Sequence, residues 1–371
     1  MNIGYEAKRV FHNKTGLGNY SRDLVRILAT YYPENYYFLY NPKKSKETLF
    51  TTDSSIILEK LPSTPFYKKY YNLWRQKGII TDLENDKIDI FHGLSGEIPS
   101  GLNNKNIKSV VTIHDLIFMR YPHLYSFFDR KIHFYKFKKS AKNADLVIAI
   151  SEQTKSDIIT YLKIPAAKIK VVYQGCQAVF KQHYSVEEKN EVALKYNLPK
   201  EFILNVGTIE ERKNALTIVK AIKDIDTKLV LIGKQTAYSE KIKTYIQENN
   251  IEKKVVFLKG LSSKELAIIY QLATVFVYPS VFEGFGIPII EALFSKTPVI
   301  TTNSGVFPEA GGLNSVYINP ENSEDLKVQI ERLLGNENLR NEIVNKGFEF
   351  VQKFNDEVIA KEIMQCYKSL F

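Results

Sequence analysis

The segment EGFGIPIIE, residues 283–291, is the most informative stretch of this chain. It follows an apolar run of strand length at 275–279 and opens a run with helical character. Gly284 and Gly286 allow the backbone to turn tightly and to approach a ligand without Cβ contacts. Pro288 fits the first turn of a helix, where its missing N–H removes no hydrogen bond. This order of strand, glycine loop, proline and helix predicts one βα unit of an open α/β sheet.

Glu283 and Glu291 bracket this segment. One carboxylate would stand before the helix and the other just inside it, so both would face the carboxyl edge of the sheet, where open α/β sheets bind ligands. Two carboxylates beside backbone amides suit a ligand rich in hydroxyl groups, such as a sugar and a ribose. By spacing alone a solvated surface pair is the more common arrangement, but the flanking elements favour a ligand site.

Short apolar runs alternate with longer amphipathic segments along the whole chain. Runs such as DLVIAI (145–150) and KLVLIG (228–233) indicate strands that are buried on both faces. Strands that alternate with helices predict parallel sheets joined by right-handed crossovers. The predicted strands are 1–5, 36–40, 55–59, 88–92, 109–113, 145–150, 169–173, 202–206, 228–232, 254–258, 275–279, 298–302 and 316–318. The predicted helices include 18–31, 151–162, 214–224, 239–249, 263–272, 288–296, 323–334 and 337–353.

A length of 371 residues exceeds what one hydrophobic core usually supports, so we expect two domains. The polar stretch 177–190 interrupts the alternation and is the predicted linker. We therefore predict an α/β protein with one Rossmann-like domain at 1–180 and a second at 181–353. Two doubly wound domains of this kind would face each other across a cleft, which is a common place for a ligand.

The segment TGLGNYSRDLV, residues 15–25, places Gly16 and Gly18 between the first strand and the first long helix. Glycine amides at a helix N-terminus favour an anion, because the N–H groups and the helix dipole point to it. A G-x-G pair without the full dinucleotide fingerprint is a weak signal, and a simple turn explains it as well as a phosphate contact does.

The segment NVGTIEERKN, residues 205–214, has the same position after the first strand of the second half. Gly207 lets the chain turn, and Arg212 and Lys213 stand just before the next helix. Such adjacent cations suit a diphosphate, because the arginine forks onto oxygens and the lysine acts as a point charge. A solvated pair of bases is the alternative.

His114 ends the apolar run SVVTIHDL and should face the ligand edge of the sheet, where a neutral imidazole can donate to a sugar hydroxyl or carbonyl. A core histidine with satisfied nitrogens is the alternative, and His92 has a similar position with a weaker claim. No His, Cys and Asp residues have the spacing of metal ligands. No nucleophile elbow or Cys/His pair indicates hydrolysis.

The net charge of +10 is concentrated in the first half. Residues 1–180 contain 27 Lys+Arg and 16 Asp+Glu, a net +11, whereas 181–371 contain 24 and 25, a net −1. Two stretches there, 66–77 and 120–142, mix bases with aromatic residues and could contact anionic lipid headgroups. Alternatively, their aromatic side chains pack inward and their lysines form a solvated helix face. We expect no nucleic-acid partner, because no binding motif accompanies the charge.

Two cysteines, Cys176 and Cys366, exclude a disulfide framework and fit a reducing compartment. No run is apolar enough to span a bilayer. The N-terminus reads as a first strand and lacks the apolar core of a signal peptide. We therefore expect a cytoplasmic protein.

Taken together, these motifs resemble the retaining glycosyltransferases of family 4, which have the two-domain GT-B fold. The resemblance covers nearly the whole chain and is most specific from Val277 to Glu309. It is closest to the mannosyltransferase-like branch that builds bacterial surface polysaccharides. The segments that carry it are GLGNY (16–20), TIHDL (112–116), VIAIS (147–151), VGTIEERKN (206–214), VYPSVFEGFGIPIIEAL (277–293) and PVITTNSGVFPE (298–309).

The resemblance implies a role for each candidate residue. Arg212 and Lys213 would hold the diphosphate of the donor. Glu291 would bind the ribose hydroxyls, Glu283 would lie at the transferred sugar, and His114 would hydrogen-bond that sugar. Backbone contacts to the sugar or the phosphates would come from Gly284, Phe285, Gly286 and Ile287, and from Gly16 and Gly18 of the other domain. A terminal helix at 354–371 would cross back onto the first domain.

The family is commonly assigned a front-face mechanism, in which an oxygen of the leaving group helps to deprotonate the acceptor. Glu283 would then act as an electrostatic and positioning group. Arg212 and Lys213 would neutralise the departing diphosphate, so we expect no cofactor and no divalent metal.

The leading hypothesis is a cytoplasmic hexosyltransferase, peripheral to the membrane, that acts on a lipid-linked or oligosaccharide acceptor. The donor is a nucleoside-diphosphate sugar, with GDP-mannose favoured over a UDP-sugar. The alternatives are a GT-B-like nucleotide-sugar epimerase or phosphorylase, and a non-catalytic module that docks on an anionic polymer or membrane. An oxidoreductase is disfavoured, because neither half has the complete dinucleotide fingerprint.

Overall fold

A computed structural model describes all 371 residues, which fold into two compact units. The first unit contains Met1–Gly175 together with Asn355–Phe371, and the second contains Cys176–Phe354. The boundary therefore follows residue 175, whereas the sequence placed it after residue 180.

The first unit is built on a seven-stranded sheet in which every pair of neighbouring strands is parallel. The order across this sheet is β3-β2-β1-β4-β5-β6-β7. The strands are β1 Asn2–Glu6, β2 Tyr36–Tyr40, β3 Ile57–Lys60, β4 Ile90–Gly93, β5 Lys108–Ile113, β6 Leu146–Ala149 and β7 Ile169–Val171.

Helices cover both faces of this sheet. Successive strand residues point to opposite sides, so neighbouring residues of one strand join different apolar clusters. Val110 of β5 packs in one cluster, and the next residue, Val111, packs in another. The helices are α1 Lys8–His12, α2 Gly16–Tyr31, α3 Pro65–Lys69, α4 Tyr71–Leu73, α5 Ile79–Asn85, α6 Ile117–Arg120, α7 Phe127–Asn143 and α8 Glu152–Asp157. Two π-helical turns extend α4 and α8, at Trp74–Gly78 and Ile158–Leu162.

The second unit has the same design with a six-stranded parallel sheet in the order β10-β9-β8-β11-β12-β13. Its strands are β8 Ile203–Val206, β9 Leu229–Ile232, β10 Val255–Leu258, β11 Val275–Tyr278, β12 Val299–Thr302 and β13 Val316–Ile318. Its helices are α9 Val186–Lys195, α10 Ala215–Ala221, α11 Tyr238–Glu248, α12 Ser263–Leu272, α13 Ile287–Phe294, α14 Phe307–Gly311, α15 Ser323–Leu334 and α16 Glu337–Val351.

The last helix, α17 Asp356–Lys368, belongs to the first unit and packs against α2. Its apolar face joins the largest apolar cluster of that unit through Ile359, Ile363 and Met364. Arg26 of α2 donates to the Asp356 carboxylate at 2.6 Å.

All thirteen predicted strands are confirmed, as are the eight predicted helices, within a few residues at their ends. The fold class predicted for each unit, a doubly wound parallel sheet, is therefore confirmed. The predicted linker, 177–190, begins just after the boundary between the units and contains a short 3₁₀ turn at Ala178–Lys181 and the start of α9. A capping box at Ser185 and Glu188 starts that helix.

Each sheet has a topological switch point, where the chain leaves two neighbouring strands in opposite directions across the sheet. In the first unit it lies between β1 and β4, and in the second unit between β8 and β11. Ligands of open α/β sheets bind in the crevice at the carboxyl ends of these strands.

Candidate functional site

The loop after β8 carries Arg212 and Lys213 to the switch point of the second unit. They end a 3₁₀ turn at Glu211–Lys213, and Asn214 follows with a left-handed φ of +57°. The Asn214 amide donates to the carbonyl of Pro279 at 3.3 Å and to that of Pro320 at 2.6 Å. These bonds fix the loop against the segments that follow β11 and β13.

Arg212 and Lys213 converge on the carboxylate of Glu283, which follows β11. Arg212 Nη1 lies 2.8 Å from Glu283 Oε1, and Lys213 Nζ donates to the same oxygen. The hydroxyls of Tyr278 and Ser280 donate to it at 2.9 and 2.8 Å. The structure thus brings together three of the predicted site residues, although about 70 positions separate the cations from the carboxylate.

Burial and charge pull the ionisation of this cluster in opposite directions. Burial raises the pKa of Glu283, but the charges of Lys213 and Arg212 outweigh it and lower that pKa to about 2. Burial lowers the pKa of Lys213, with Glu283 opposing the shift. Burial also disfavours the charged form of Arg212, but the Glu283 carboxylate raises its pKa overall. At neutral pH Glu283 is therefore ionised beside Arg212 and Lys213.

The cluster retains groups that can meet a ligand. Lys213 Nζ bonds Tyr278 and Glu283, which leaves its third N–H without a protein partner. The protein contacts of Glu283 all reach Oε1. Oε2 has no protein partner and is accessible to solvent. The side chains of Lys213 and Glu283 are each 14% exposed. The arrangement offers a cation and a carboxylate oxygen side by side.

Gly207 and Gly233 let this loop approach the sheet closely. Gly207 has φ of +144°, and a Cβ there would lie 3.7 Å from Cε of Lys213. A Cβ on Gly233, which follows β9, would lie 1.8 Å from the Gly207 carbonyl oxygen, so only glycine fits. The sequence analysis quoted Gly233 only as the end of an apolar run, although its position directly after that strand was a signal for a close backbone approach.

The predicted glycine loop leads into α13 as expected. Gly286 has φ of +119° and precedes the first helical residue, Ile287, and no side chain caps the helix N-terminus. Phe285 is buried and packs edge-on against Phe354 at 5.3 Å between ring centroids. Pro288 lies in the first helical turn. The amides at the start of α13 thus remain without a side-chain acceptor.

Glu291 lies one turn into α13 in an environment opposite to that of Glu283. Its Oε2 accepts a hydrogen bond from the Tyr270 hydroxyl at 3.1 Å. Burial raises the pKa of Glu291 to about 7, with the Tyr270 bond opposing the shift. No cation pairs with this carboxylate, so near neutral pH it is divided between its neutral and charged forms.

Two family models match the chain, one for each unit. The model described as Glycosyltransferase Family 4 matches residues 16–178, and the model described as Glycosyl transferases group 1 matches residues 186–350. The two ranges include every predicted site residue of both units. The chain belongs to the family 4 glycosyltransferases.

Curated relatives of this glycosyltransferase include two proteins named as mannosyltransferases. O-antigen chain mannosyltransferase B of Escherichia coli is 24% identical over 391 aligned residues that cover 100% of both chains. O-antigen chain mannosyltransferase RfbU of Salmonella typhimurium is 30% identical over 229 residues, 61% of each chain.

Among solved structures, Anabaena HepE in complex with UDP and glucose is similar to this glycosyltransferase over 99% of both chains. The TM-score is 0.78 at 16% sequence identity, so the likeness shows the fold. Together with the two parallel sheets, it confirms the predicted GT-B class.

Gly16 and Gly18 lie at the start of α2 in the first unit of the glycosyltransferase. A Cβ on Gly18 would lie 1.9 Å from the Asn13 carbonyl oxygen, whereas one on Gly16 would meet nothing within 4 Å. The Asn13 side chain accepts from the amides of Thr15 and Gly18 at 2.8 and 3.1 Å. Close packing therefore explains Gly18 without a ligand, and Gly16 is exposed.

His114 follows β5, and both of its ring nitrogens have protein partners. Nε2 lies 2.8 Å from the Leu94 carbonyl, and Nδ1 lies 2.8 Å from the Gln174 amide nitrogen. Burial lowers the pKa of His114 to about 4, so the imidazole is neutral at pH 7. Contact with a sugar would require one of these two partners to be exchanged.

His92 of β4 is fully buried. Its ring nitrogens lie 2.6 Å from the Tyr367 hydroxyl and 2.8 Å from the Thr112 hydroxyl. Burial lowers its pKa to about 3. The weaker of the two histidine candidates is therefore a core residue that ties α17 to the sheet.

The glycosyltransferase has no helix that combines the length and apolar character needed to span a membrane. It has no group of three or more His, Cys, Asp or Glu side chains arranged to hold a metal ion. Both cysteines are buried free thiols.

The sequence analysis missed the polar side chains that complete the site. Tyr278 ends β11 and Ser280 follows it within the quoted motif, and the signal for both was their position at a strand's carboxyl end. Thr301 and Thr302 of β12 donate to the carbonyls of Tyr278 and Ser280 at 2.8 and 2.7 Å. These bonds set the direction in which the chain leaves β11, and hence the position of Glu283.

Proposed function

We propose that this glycosyltransferase moves a hexose, with mannose favoured, from a nucleoside-diphosphate sugar to a lipid-linked or oligosaccharide acceptor. The reaction would belong to the biosynthesis of a surface polysaccharide. Transfer would proceed with retention of anomeric configuration and without a divalent metal. The observation that carries the proposal is the convergence of Arg212, Lys213 and Glu283 at the switch point of the second unit.

The two cations would bind the donor diphosphate. Glu283 Oε1 acts as their internal counter-anion, and Glu210 also pairs with Arg212 at 2.7 Å. A diphosphate carries more negative charge than one carboxylate, so it can compete for the free N–H of Lys213 and for Arg212. Because the cations are already held in place, they can stabilise charge on the leaving diphosphate with little reorganisation.

The carboxylates would bind the sugar and the ribose. Glu283 Oε2 has no protein partner and can accept a hydrogen bond from a sugar hydroxyl. Glu291 Oε2 takes one bond from Tyr270, and its Oε1 can accept from a ribose hydroxyl. An ionised Glu283 would also stabilise positive charge that develops on the sugar during transfer.

The named relatives support the finer assignment. O-antigen chain mannosyltransferase B aligns with the whole chain, and its name specifies a mannosyl group and a polysaccharide product. HepE was solved with UDP and glucose, which supports a nucleotide-sugar donor but favours a different base and sugar. We therefore propose GDP-mannose as the preferred donor and a UDP-hexose as the competing candidate.

We further propose that the protein works in the cytoplasm at a membrane surface. Helix α7 supports this, because its N-terminal half has four large apolar side chains that are 53–77% exposed and lie among several lysines. The four are Phe127, Phe128, Ile132 and Tyr135. Exposed apolar side chains among bases suit an anionic bilayer. Co-sedimentation with anionic vesicles but not with neutral ones would support it, and equal recovery with both would reject it.

The decisive experiment removes the two cations. Arg212→Ala combined with Lys213→Ala should abolish hexose transfer and nucleoside-diphosphate binding, because the leaving diphosphate loses both fixed charges. Lys346→Ala is the matched control, since it removes an exposed lysine paired with Glu342 on α16. Unchanged transfer by a folded double variant would reject the diphosphate site.

A chelator should leave wild-type transfer intact, and metal-reversible loss would reject the metal-free scheme.

Product analysis separates the alternatives. Wild-type protein incubated with GDP-mannose or UDP-glucose, without acceptor, should return the sugar configuration unchanged, whereas an epimerase would alter it. NMR of the product made with acceptor should show the anomeric configuration of the donor. Absence of binding heat with both GDP and UDP would favour a non-catalytic module.

A further inference from the structure

The first unit has a cationic cavity at its own switch point. The cavity measures about 290 Å³ and lies where β1 and β4 end. Lys8 and Arg9 enter it from α1, directly after β1, and Glu97 enters from the segment after β4. Arg75 lines it from the π-helical turn after α4, and Lys136 lines it from α7.

The arrangement parallels the site of the second unit. There, adjacent cations follow the first strand, β8, and a carboxylate follows the strand across the switch point, β11. In the first unit Glu97 likewise holds cations, since its carboxylate lies 3.2 Å from Lys136 Nζ and 3.9 Å from Arg75 Nη2. Each sheet therefore presents a cluster of bases paired with carboxylates at the edge where open α/β sheets bind ligands.

The charges of the cavity are not balanced by the protein. Arg75 is paired with Glu6 at 2.8 Å, and Lys136 is paired with Glu97. Lys8 and Arg9 make no ion pair and no side-chain hydrogen bond. Burial and the nearby Arg75 charge lower the pKa of Lys8, as expected where positive charge is concentrated. Four bases against two carboxylates leave a net charge of about +2, which a bound anion would neutralise.

A second groove continues from this cavity and shares Gln76, Glu97 and Lys136 with it. It measures about 390 Å³ and is lined on one side by Ile132 and Tyr135 of α7. The cavity and the groove together thus form a continuous site that is cationic at one end and has apolar and aromatic side chains at the other. Such a shape suits a molecule in which a phosphoryl group is linked to a larger, less polar group.

We propose that the cavity binds a phosphoryl group of the acceptor, so that this enzyme acts on phosphorylated acceptors. Lys8 and Arg9 would contact the phosphoryl oxygens, and the attached group would lie along the groove beside Tyr135. The phosphoryl group belongs either to a lipid-linked diphosphate or to a free saccharide phosphate. The acceptor role rests on the proposed transferase function, whereas the anion site itself does not.

Calorimetry with inorganic pyrophosphate tests the site. Wild-type protein should bind two equivalents, and Arg212→Ala with Lys213→Ala should leave one. Lys8→Gln with Arg9→Gln should remove the other, which corresponds to a loss of affinity of about tenfold or more. The control Lys105→Gln with Lys108→Gln removes two bases at the opposite edge of the same sheet and should change nothing.

The variants also separate the two hypotheses. A single equivalent in the wild type, lost with Arg212 and Lys213 and unaffected by Lys8 and Arg9, would overturn the second site but leave the donor site intact. One equivalent lost only with Lys8 and Arg9 would support the second site and reject the donor site. If the Lys8 and Arg9 variant does not fold, Lys136→Gln should weaken the same equivalent, and unchanged affinity would overturn the proposal.

Two probes distinguish the sources, both measured in the Arg212→Ala, Lys213→Ala background. Farnesyl diphosphate should bind more tightly than pyrophosphate if the acceptor is lipid-linked, and Tyr135→Ala should remove that gain. Glucose 1-phosphate should instead bind more tightly than inorganic phosphate if the acceptor is a free saccharide phosphate. If neither probe exceeds its inorganic counterpart, the cavity does not bind an acceptor and the proposal is overturned.

Discussion

Glu283 and Glu291 lie at the two ends of one short segment, yet their surroundings drive their ionisation apart. Two cations hold the pKa of Glu283 at about 2, whereas burial without a cation raises that of Glu291 to about 7. Pairs of titratable groups with opposite shifts are typical of sites with divided roles. The permanent charge of Glu283 suits a developing cation, and the weakly ionised Glu291 suits hydrogen bonding to hydroxyls.

Replacing Glu283 by Gln should destabilise the second unit at neutral pH by about 3 kcal/mol, because Arg212 and Lys213 lose their shared buried counter-charge. The pKa of Glu283 is lowered, so its contribution is present above pH 4.5 and is lost as the pH falls toward 2. The deficit measured by denaturant unfolding should therefore shrink below pH 4.5. Glu331→Gln, at an exposed position of α15, is the control, and a pH-independent deficit would contradict the assignment.

Glu291→Gln should show the opposite pH dependence. The pKa of Glu291 is raised, so its ionisation destabilises the fold as the pH rises from 4.5 through 7. The variant cannot ionise and should therefore gain stability relative to wild type between pH 5 and 8, measured by thermal unfolding without ligand. Its nucleoside-diphosphate binding should weaken, because an amide oxygen is a weaker acceptor than a carboxylate. Parallel stability curves would contradict the pKa shift.

At the scale of elements, the site depends on how closely two loops pass the end of the sheet. The loops after β8 and β9 touch at Gly207 and Gly233, and this contact leaves room for the Lys213 stem. The threonines of β12 hold the end of β11 from the other side. The site residues are therefore positioned mainly by backbone contacts between neighbouring strand ends.

Gly233→Ala should destabilise the second unit and weaken nucleotide binding, because the new Cβ would overlap the Gly207 carbonyl oxygen. Gly260→Ala is a matched control after the neighbouring strand β10. Gly260 also has a positive φ, +75°, but faces open space, so its replacement should cost only about 1–2 kcal/mol. Urea unfolding of both variants measures the difference, and equal destabilisation would show that the loop contact is unimportant.

At the scale of the whole molecule, the chain forms its first unit from two separate segments. Helix α17 supplies Ile359, Ile363 and Met364 to the core of that unit, and Tyr367 contacts His92. The second unit has a core to which residues 355–371 contribute nothing. The first unit can therefore be completed only after the second has been synthesised.

Deleting residues 355–371 should unfold the first unit selectively. The only tryptophan, Trp74, is fully buried in that unit, so its emission should shift to the red on truncation. Removing Phe371 alone, which is 72% exposed, is the control and should leave the emission unchanged. Nucleotide binding by the second unit should survive the deletion. An unshifted tryptophan spectrum would contradict the role assigned to α17.

The sequence by itself determined where the strands lie along the chain and that helices alternate with them. Apolar runs reveal buried strands, and parallel βα units place the residues after each strand at one edge of the sheet. Arg212, Lys213, Glu283 and Glu291 could therefore be assigned to a ligand edge. Helix α7 has no apolar stripe, so a helix within 120–142 was only one of two alternatives there. Short helices such as α14 have too few residues to show a period.

The tertiary structure alone decided which of those residues meet and in what state. Glu283 takes its cations from a loop about 70 residues earlier, and His114 takes its partners from Leu94 and Gln174. The cationic cavity of the first unit draws on four separate segments of the chain. Such contacts depend on strand order and on packing between distant segments, and local sequence patterns do not encode either.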